Sequence, residues 1–215
     1  MPALVITADD YGYAPSYDAG IAEAARAGAI DGTSAMVTRD ALDPGLLGGT
    51  EVAVGLHLEI DRAGVAEQVE LFEAAFGRRP DYLDGHHHCH AAPDVAVTVA
   101  EFAAALSIPV RPASDRHRDL LRERGVPAVD RVLGRMSEAV PALPPDIARW
   151  REAGGDPPGV SEWIVHPGHP DAQVGSSYDR GRGEDLELLL SLGGREAWAS
   201  VGIERAGPRR ALAGA

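Results

Sequence analysis

Short apolar runs alternate with helix-like stretches along almost the whole chain, and this alternation limits the fold more than any other feature. The runs fall at 3–8, 33–38, 51–60, 81–88, 108–112 and 161–168. Between them, "SYDAGIAEAARAG" and "RAGVAEQVELFEAAFG" have helical periodicity and stop at Gly28 and Gly77. "PDVAVTVAEFAAAL" follows the same pattern, with Pro93 placed for a first helical turn. Further helices are expected at 115–124, 145–153 and 183–193, a broken turn at 40–49, and a last strand or coil at 200–206. Strands alternating with helices imply βα units and a mostly parallel sheet. About seven such units predict an α/β fold closed as a distorted TIM-like (β/α) barrel; an open doubly wound sheet is the alternative. No repeat, linker or low-complexity tract divides residues 1–215. The length of 215 residues suffices for one sizeable core, so a single domain is expected.

Side chains alternate between the two faces of a strand. In "EVAVGLHLEI" one face carries Ala53, Gly55 and His57, the other Val52, Val54, Leu56 and Leu58. Helices cover the apolar face, so His57 is expected to point into the crowded interior of the barrel. The same rule puts Asp84, His86, His88 and His90 on one face of "YLDGHHHCH", with His87 and Cys89 on the other. Asp9 and Asp10 would part under strict alternation. Both reach one site only if their strand ends or bulges there, for which Gly12 gives the freedom.

These residues lie at the carboxyl ends of expected strands and beside glycine turns, where parallel α/β architectures place their sites. Seven of the eight histidines fall in three such places: His57, the run from His86 to His90, and "HPGH" from His166; only His117 lies elsewhere. Neutral imidazole and carboxylate suit zinc and related divalent ions. A lone histidine is more often structural, and an Asp pair at a strand end is more often a cap or turn former. Their concentration at one end of the sheet favours a metal site, although spacing alone does not choose the ligating histidine. Cys89 reads as a buried, inert thiol. No P-loop, GxGxxG or GxSxG motif is present.

The net charge of −13 disfavours a nucleic-acid or anionic-membrane partner and leaves a neutral or cationic ligand easier to accommodate. One cysteine excludes an intrachain disulfide. No stretch approaches a membrane span, and the opening "MPALVITADD" has no basic leader, so the cytoplasm is the expected compartment.

Taken in order, the motifs resemble those of the YdjC-like carbohydrate deacetylases of the chitooligosaccharide deacetylase type. "ITADDYG" resembles that family's Ala-Asp-Asp-Phe-Gly opening, with Tyr11 replacing Phe, and "GTSAMVT" its next strand. "GLHLEI" resembles Gly-x-His-Leu. "YLDGHHHCH" resembles His-Leu-Asp-Ser-His-His-His-Val-His, with Tyr82 and Gly85 as departures. "IPVRP", "IVHPGHPD" and "SSYDRGRGEDLELL" match the later segments. The resemblance implies a distorted barrel of about seven strands and removal of an N-acetyl group from an acetylated amino sugar or small chitooligosaccharide. It implies one divalent metal ion, zinc or magnesium, on Asp10, His57 and His86. Asp9 would be the base, His166 would stand across the reacting carbonyl, and His88, His90, Arg111 and Arg182 would bind substrate or support these groups. Another metal-dependent amide or ester hydrolase, or a non-catalytic metal or sugar binder, are the alternatives. Family members carry a long insertion where this chain has only Leu58 to Leu83. The short segment implies a shallower, wetter site, suited to a small carbohydrate or walled by a second subunit in a homodimer.

Overall fold

A computed structural model describes residues 3–134, 159–200 and 202–209. The strands are β1 (Ala3–Tyr11), β2 (Gly32–Ala35), β3 (Ala53–Leu58), β4 (Leu83–Gly85), β5 (Arg131–Leu133), β6 (Val160–Val165) and β7 (Glu204–Arg205). The α-helices are α1 (Pro15–Arg26), α2 (Val65–Phe76), α3 (Ala96–Leu106), α4 (Asp115–Glu123), α5 (Asp179–Leu192) and α6 (Arg195–Ala199). Six strands run parallel in the order β4-β3-β2-β1-β6-β5, and β7 pairs with the start of β1. The sheet curls into a half-barrel of six strands plus one, a distorted TIM-like arrangement.

The gap between β4 and β5 is crossed by single backbone bonds. The Leu83 N–H donates to Pro109 O at 3.0 Å, Arg111 N–H to Leu83 O at 3.0 Å, and Val110 N–H to Pro127 O at 3.1 Å. The strand expected at 108–112 is thereby reduced to one bridge, Leu83 with Val110. Pro109 and Pro112 lack the N–H that a longer ladder needs.

The two faces of the strands differ sharply. Leu4, Ile6 and Ala8 of β1, Val54, Leu56 and Leu58 of β3, and Trp163 and Val165 of β6 point outward. They pack with Ile21, Phe72, Val99 and Leu186 from the helices. Each such large side chain, fully buried, contributes about 1.5–3 kcal/mol. The inward set is small or polar. Val5, Val129 and Val160 form a minor apolar layer, and Thr7, Ser34, Asp84, Arg111 and Glu162 are buried in the interior. Tyr82 fills the space over Gly55, where a Cβ would fall 2.6 Å from its ring. That is the steric reason why β3 carries no side chain at 55.

Some boundaries depart from the expected ones. α3 starts at Ala96, so Pro93 precedes the helix and is not in its first turn. α5 starts at Asp179, ahead of the expected 183; Gly181 and Gly183 lower the local helix propensity that would have marked this turn. The helix expected at 145–153 lies outside the described residues. Among the described residues, no helix is long and apolar enough to cross a membrane.

Candidate active site

β1 ends in the bulge that the two acids require. Its pairing with β2 slips between Ala8 and Tyr11, and Asp10 takes a φ of 69°. Aspartate is among the few non-glycine residues that tolerate this region. Gly12 follows at φ 95°, and its N–H donates to Asp18 Oδ1 at 2.7 Å. The kink brings adjacent Asp9 and Asp10 to one cavity, which parity alone would forbid.

His57 projects inward from β3, as the apolar set on its other face requires. Its Nδ1 lies 2.7 Å from Asp84 Oδ1 and 3.1 Å from Ser34 Oγ. With the Nδ1 hydrogen given to Asp84, Nε2 is the atom presented to Asp10 Oδ1, at 3.3 Å. Burial pushes the His57 imidazole down, but the charge of Asp84 and bonds to Asp10 and Asp84 hold it well above its ordinary range. Any cation on Nε2 therefore competes with a proton.

The histidine run does not continue as a strand. β4 stops at Gly85, and residues His86–Ala91 form a tight turn with His87 at φ 50° and His88 at φ 56°. A Cβ on Gly85 would stand 3.0 Å from both Cys89 Sγ and His90 Nδ1, so the chain folds back over a position that must stay small. The expected common face of Asp84, His86, His88 and His90 is lost in this turn. His86 Nδ1 lies 3.0 Å from Asp10 Oδ1, and His87 and His88 also line the cavity. His90 turns behind it, buried, with Nε2 2.9 Å from the Arg111 carbonyl oxygen. The Cys89 thiol donates to Leu58 O at 3.0 Å, and burial raises its pKa, so it is not activated.

Two arginines hold the two acids. Arg111 Nη1 reaches Asp9 Oδ2 at 2.7 Å and Nη2 reaches Asp9 Oδ1 at 2.8 Å, a bidentate clamp. Burial pushes the Asp9 carboxyl up, but Arg111 and then His57 outweigh it and bring it down to about 2. Arg182, from α5, places Nη2 2.5 Å from Asp10 Oδ2 and its guanidinium 4.1 Å from the Tyr17 ring centroid. Burial raises the Asp10 carboxyl, and its bonds to His57 and His86 more than reverse this, holding it well below its ordinary value. His166 follows β6 directly. Its N–H donates to Asp185 Oδ2 at 3.0 Å, and its ring stands edge-on to Tyr178 at 5.6 Å.

Asp9, Asp10, His57, His86, His88, His166 and Arg182 line one cavity of about 510 Å³. Arg111 lies beneath it and His90 behind it. Sequence reasoning did not single out Ser34, Glu162, Tyr13 or Tyr178. Glu162 had a signal, an acid inside the apolar run "SEWIV". Burial raises its carboxyl, partly offset by Arg111 at 2.8 Å. Tyr178 lay inside the matched segment "SSYDRGRGEDLELL", whereas Tyr13 sits on a loop and had no signal.

The ligand atoms of Asp10, His57 and His86 all lie within 4.8 Å of one another. Two ligands, each about 2.1 Å from a common ion, stand about 3–3.4 Å apart. The separations from Asp10 Oδ1, 3.0 Å to His86 Nδ1 and 3.3 Å to His57 Nε2, fall in that range. The Asp84 carboxylate behind His57 is the usual second partner of a ligating imidazole. The cluster can hold a divalent metal ion.

Fold and site together define a parallel (β/α)-barrel protein with an acid–imidazole cavity at the carboxyl ends of its strands. The chain belongs to the family described as YdjC-like protein, whose model matches residues 3–65 and 62–200. A chitooligosaccharide deacetylase of Escherichia fergusonii is 30% identical to it over 146 residues, covering 50% of this chain and 58% of that relative. The match thus spans less than two thirds of the relative's length. A crystal structure from Enterococcus faecalis V583, of a protein suggested to cleave cellobiose phosphate, superposes with a TM-score of 0.80 at 23% identity. It covers 98% of this chain and 99% of that one, a likeness of fold.

Proposed function

We propose that this chain is a metal-dependent carbohydrate N-deacetylase, a hydrolase cleaving the amide of an acetylated amino sugar or small chitooligosaccharide. The observation that carries the reading is the meeting of Asp10, His57 and His86 in a cavity that also holds Asp9 and His166. Membership of the YdjC-like family supports it.

A divalent ion held by Asp10, His57 and His86 would polarise the amide carbonyl and acidify a water. Two imidazoles favour zinc, and magnesium is the other candidate. Asp9 takes the proton of the attacking water. Against burial, Arg111 and His57 hold its carboxyl down to about 2, so it stands ionised and free of a proton of its own. The Arg111 clamp fixes the plane of the Asp9 carboxylate, so its orientation is set before substrate arrives. His166 gives a proton to the departing nitrogen as the C–N bond breaks. The oxygen of water ends on acetate, and the sugar keeps a free amine. Arg182 holds Asp10 by one oxygen and leaves the other toward the imidazoles. His88 lines the cavity wall, and His90 supports Arg111 from behind through its carbonyl.

A cavity of about 510 Å³ suits one or two sugar units. With the short segment between Leu58 and Leu83, a second copy of the chain is proposed to complete the wall, as a homodimer. The reading takes residues 1–215 as one domain. Its lone thiol fits a reducing compartment, the cytoplasm.

The test is acetate release from a panel of N-acetylated amino sugars, with zinc or magnesium and with a chelator. Release that stops on chelation and returns with the ion is expected. No acetate from any sugar, or a rate indifferent to the chelator, overturns the reading.

A further inference from the structure

Beneath the proposed metal site lies a second set of donors. Asp9, His57 and Asp84 also bring their ligand atoms within 4.8 Å of one another, and all three are buried. By donor type this inner set is a cation cradle comparable to the outer one, and His57 belongs to both. What distinguishes them is Arg111. Its guanidinium is fully buried and reaches Asp9 at 2.7 Å, Asp84 Oδ2 at 2.8 Å and Glu162 Oε1 at 2.8 Å. Every carboxylate of the inner set thus already faces a positive charge. Asp10 of the outer set is paired as well, but Arg182 takes only its Oδ2 and leaves Oδ1 toward His57 and His86, whereas Arg111 takes both oxygens of Asp9.

Charge balance points the same way. Asp9, Asp10, Asp84 and Glu162 are buried carboxyl groups facing two buried guanidiniums, Arg111 and Arg182. With all four ionised, the two uncompensated charges equal one divalent ion. A second ion among the inner donors would also need His57 Nδ1, whose contact is with Asp84 at 2.7 Å.

We infer that Arg111 is a resident cation standing in the place of a second metal ion, and that it makes the centre mononuclear. The inference rests on the metal reading of the outer site. A guanidinium suits the task because it does not deprotonate in proteins and its planar fork matches carboxylates two at a time. It acts through Asp9 and Asp84 and is a positioning residue. By occupying both oxygens of Asp9 it keeps that acid from becoming a bridging ligand, and by pairing Asp84 it leaves the His57 tautomer undisturbed.

The experiment is metal content by elemental analysis, after equilibration with excess zinc and removal of free ion. The native chain and Arg111→Lys, which keeps the charge, should hold one zinc per chain. Arg111→Met should hold two, and Arg111→Met with Asp84→Asn should return to one. No zinc on the native chain would overturn the metal reading itself. One zinc on both the native chain and Arg111→Met would overturn the present inference and leave that reading intact. Because Arg111→Met strands buried carboxylates, its thermal unfolding is followed across a zinc titration. A zinc-dependent rise in Tm larger than that of the native chain is expected. A variant that stays unfolded at every zinc concentration also overturns the inference, since a second ion should more than offset the missing charge.

Discussion

Asp18 offers a test of how the Asp9–Asp10 kink is braced. It is fully buried on α1 and accepts the Gly12 N–H at 2.7 Å through Oδ1, while Oδ2 has no hydrogen-bond partner among the described residues. Burial raises its carboxyl, Asp43 and Asp10 add to this, and the Gly12 bond offsets only part, leaving it at about 7. In the unfolded chain the same group titrates near 4. Between these values the folded chain holds a proton that the unfolded chain releases. The unfolded state is therefore favoured as pH rises, and stability falls from about pH 4 to about pH 7. It is flat on either side so far as this group is concerned. A displacement of this size is worth up to about 4 kcal/mol, and relaxation around the ionised group brings the expectation to roughly 2–4 kcal/mol. Asp18→Asn keeps the acceptor for Gly12 and abolishes the titration. Urea unfolding followed by tryptophan fluorescence at pH 5 and pH 8, with chelator throughout, gives the stability of the variant relative to the native chain. About a third of the full displacement is already lost at pH 5, so that difference should move in favour of the variant by roughly 1.5–2.5 kcal/mol between the two pH values. An equal difference at both, within about 0.5 kcal/mol, would refute the reasoning, because stability would then be blind to the ionisation of Asp18.

Asp9→Asn should keep the metal and lose about 10²–10⁴ in turnover, as loss of a general base does, whereas Asp10→Asn should lose metal affinity itself. Elemental analysis and acetate release on both variants check the pair, and the opposite pattern exchanges the roles. Asp84→Asn removes the carboxylate 2.7 Å behind His57 and should weaken metal binding by about 10–100-fold in a chelator competition. Gly55→Ala puts a Cβ 2.6 Å from the Tyr82 ring and should cost about 1–3 kcal/mol in urea unfolding, most of it recovered when Tyr82 is also made Leu.

Where the sequence was informative, two patterns agreed. His57 could be placed inside the barrel because Val54, Leu56 and Leu58 claimed the other face and Gly55 left room beside it. Asp9 and Asp10 could be brought together only on the condition of a bulge, since nothing local states that Asp10 adopts a positive φ. Parity failed for the histidine run because it holds only within a strand. β4 ends at Gly85, and the left-handed residues at 87 and 88 send His86 and His90 to different places. Gly85, standing where the family pattern has Ser, was the available warning. The strand expected over "IPVRP" was limited by its own prolines. The clamp of Arg111 on Asp9, Asp84 and Glu162 joins four distant segments, and no spacing along the chain encodes such a meeting.

Tyr82 has a further consequence. Its ring closes the barrel over Gly32 and Gly55, and the layer of Thr7, Arg111 and Glu162 lies in the same interior. Among the described residues, the floor of the proposed catalytic cavity is thus closed. Under the proposed reaction, one molecule comes in and two must leave on the side away from that floor. Whichever product is held nearer the floor has to wait for the other. Product release, rather than bond breaking alone, then becomes a natural place for turnover to be limited.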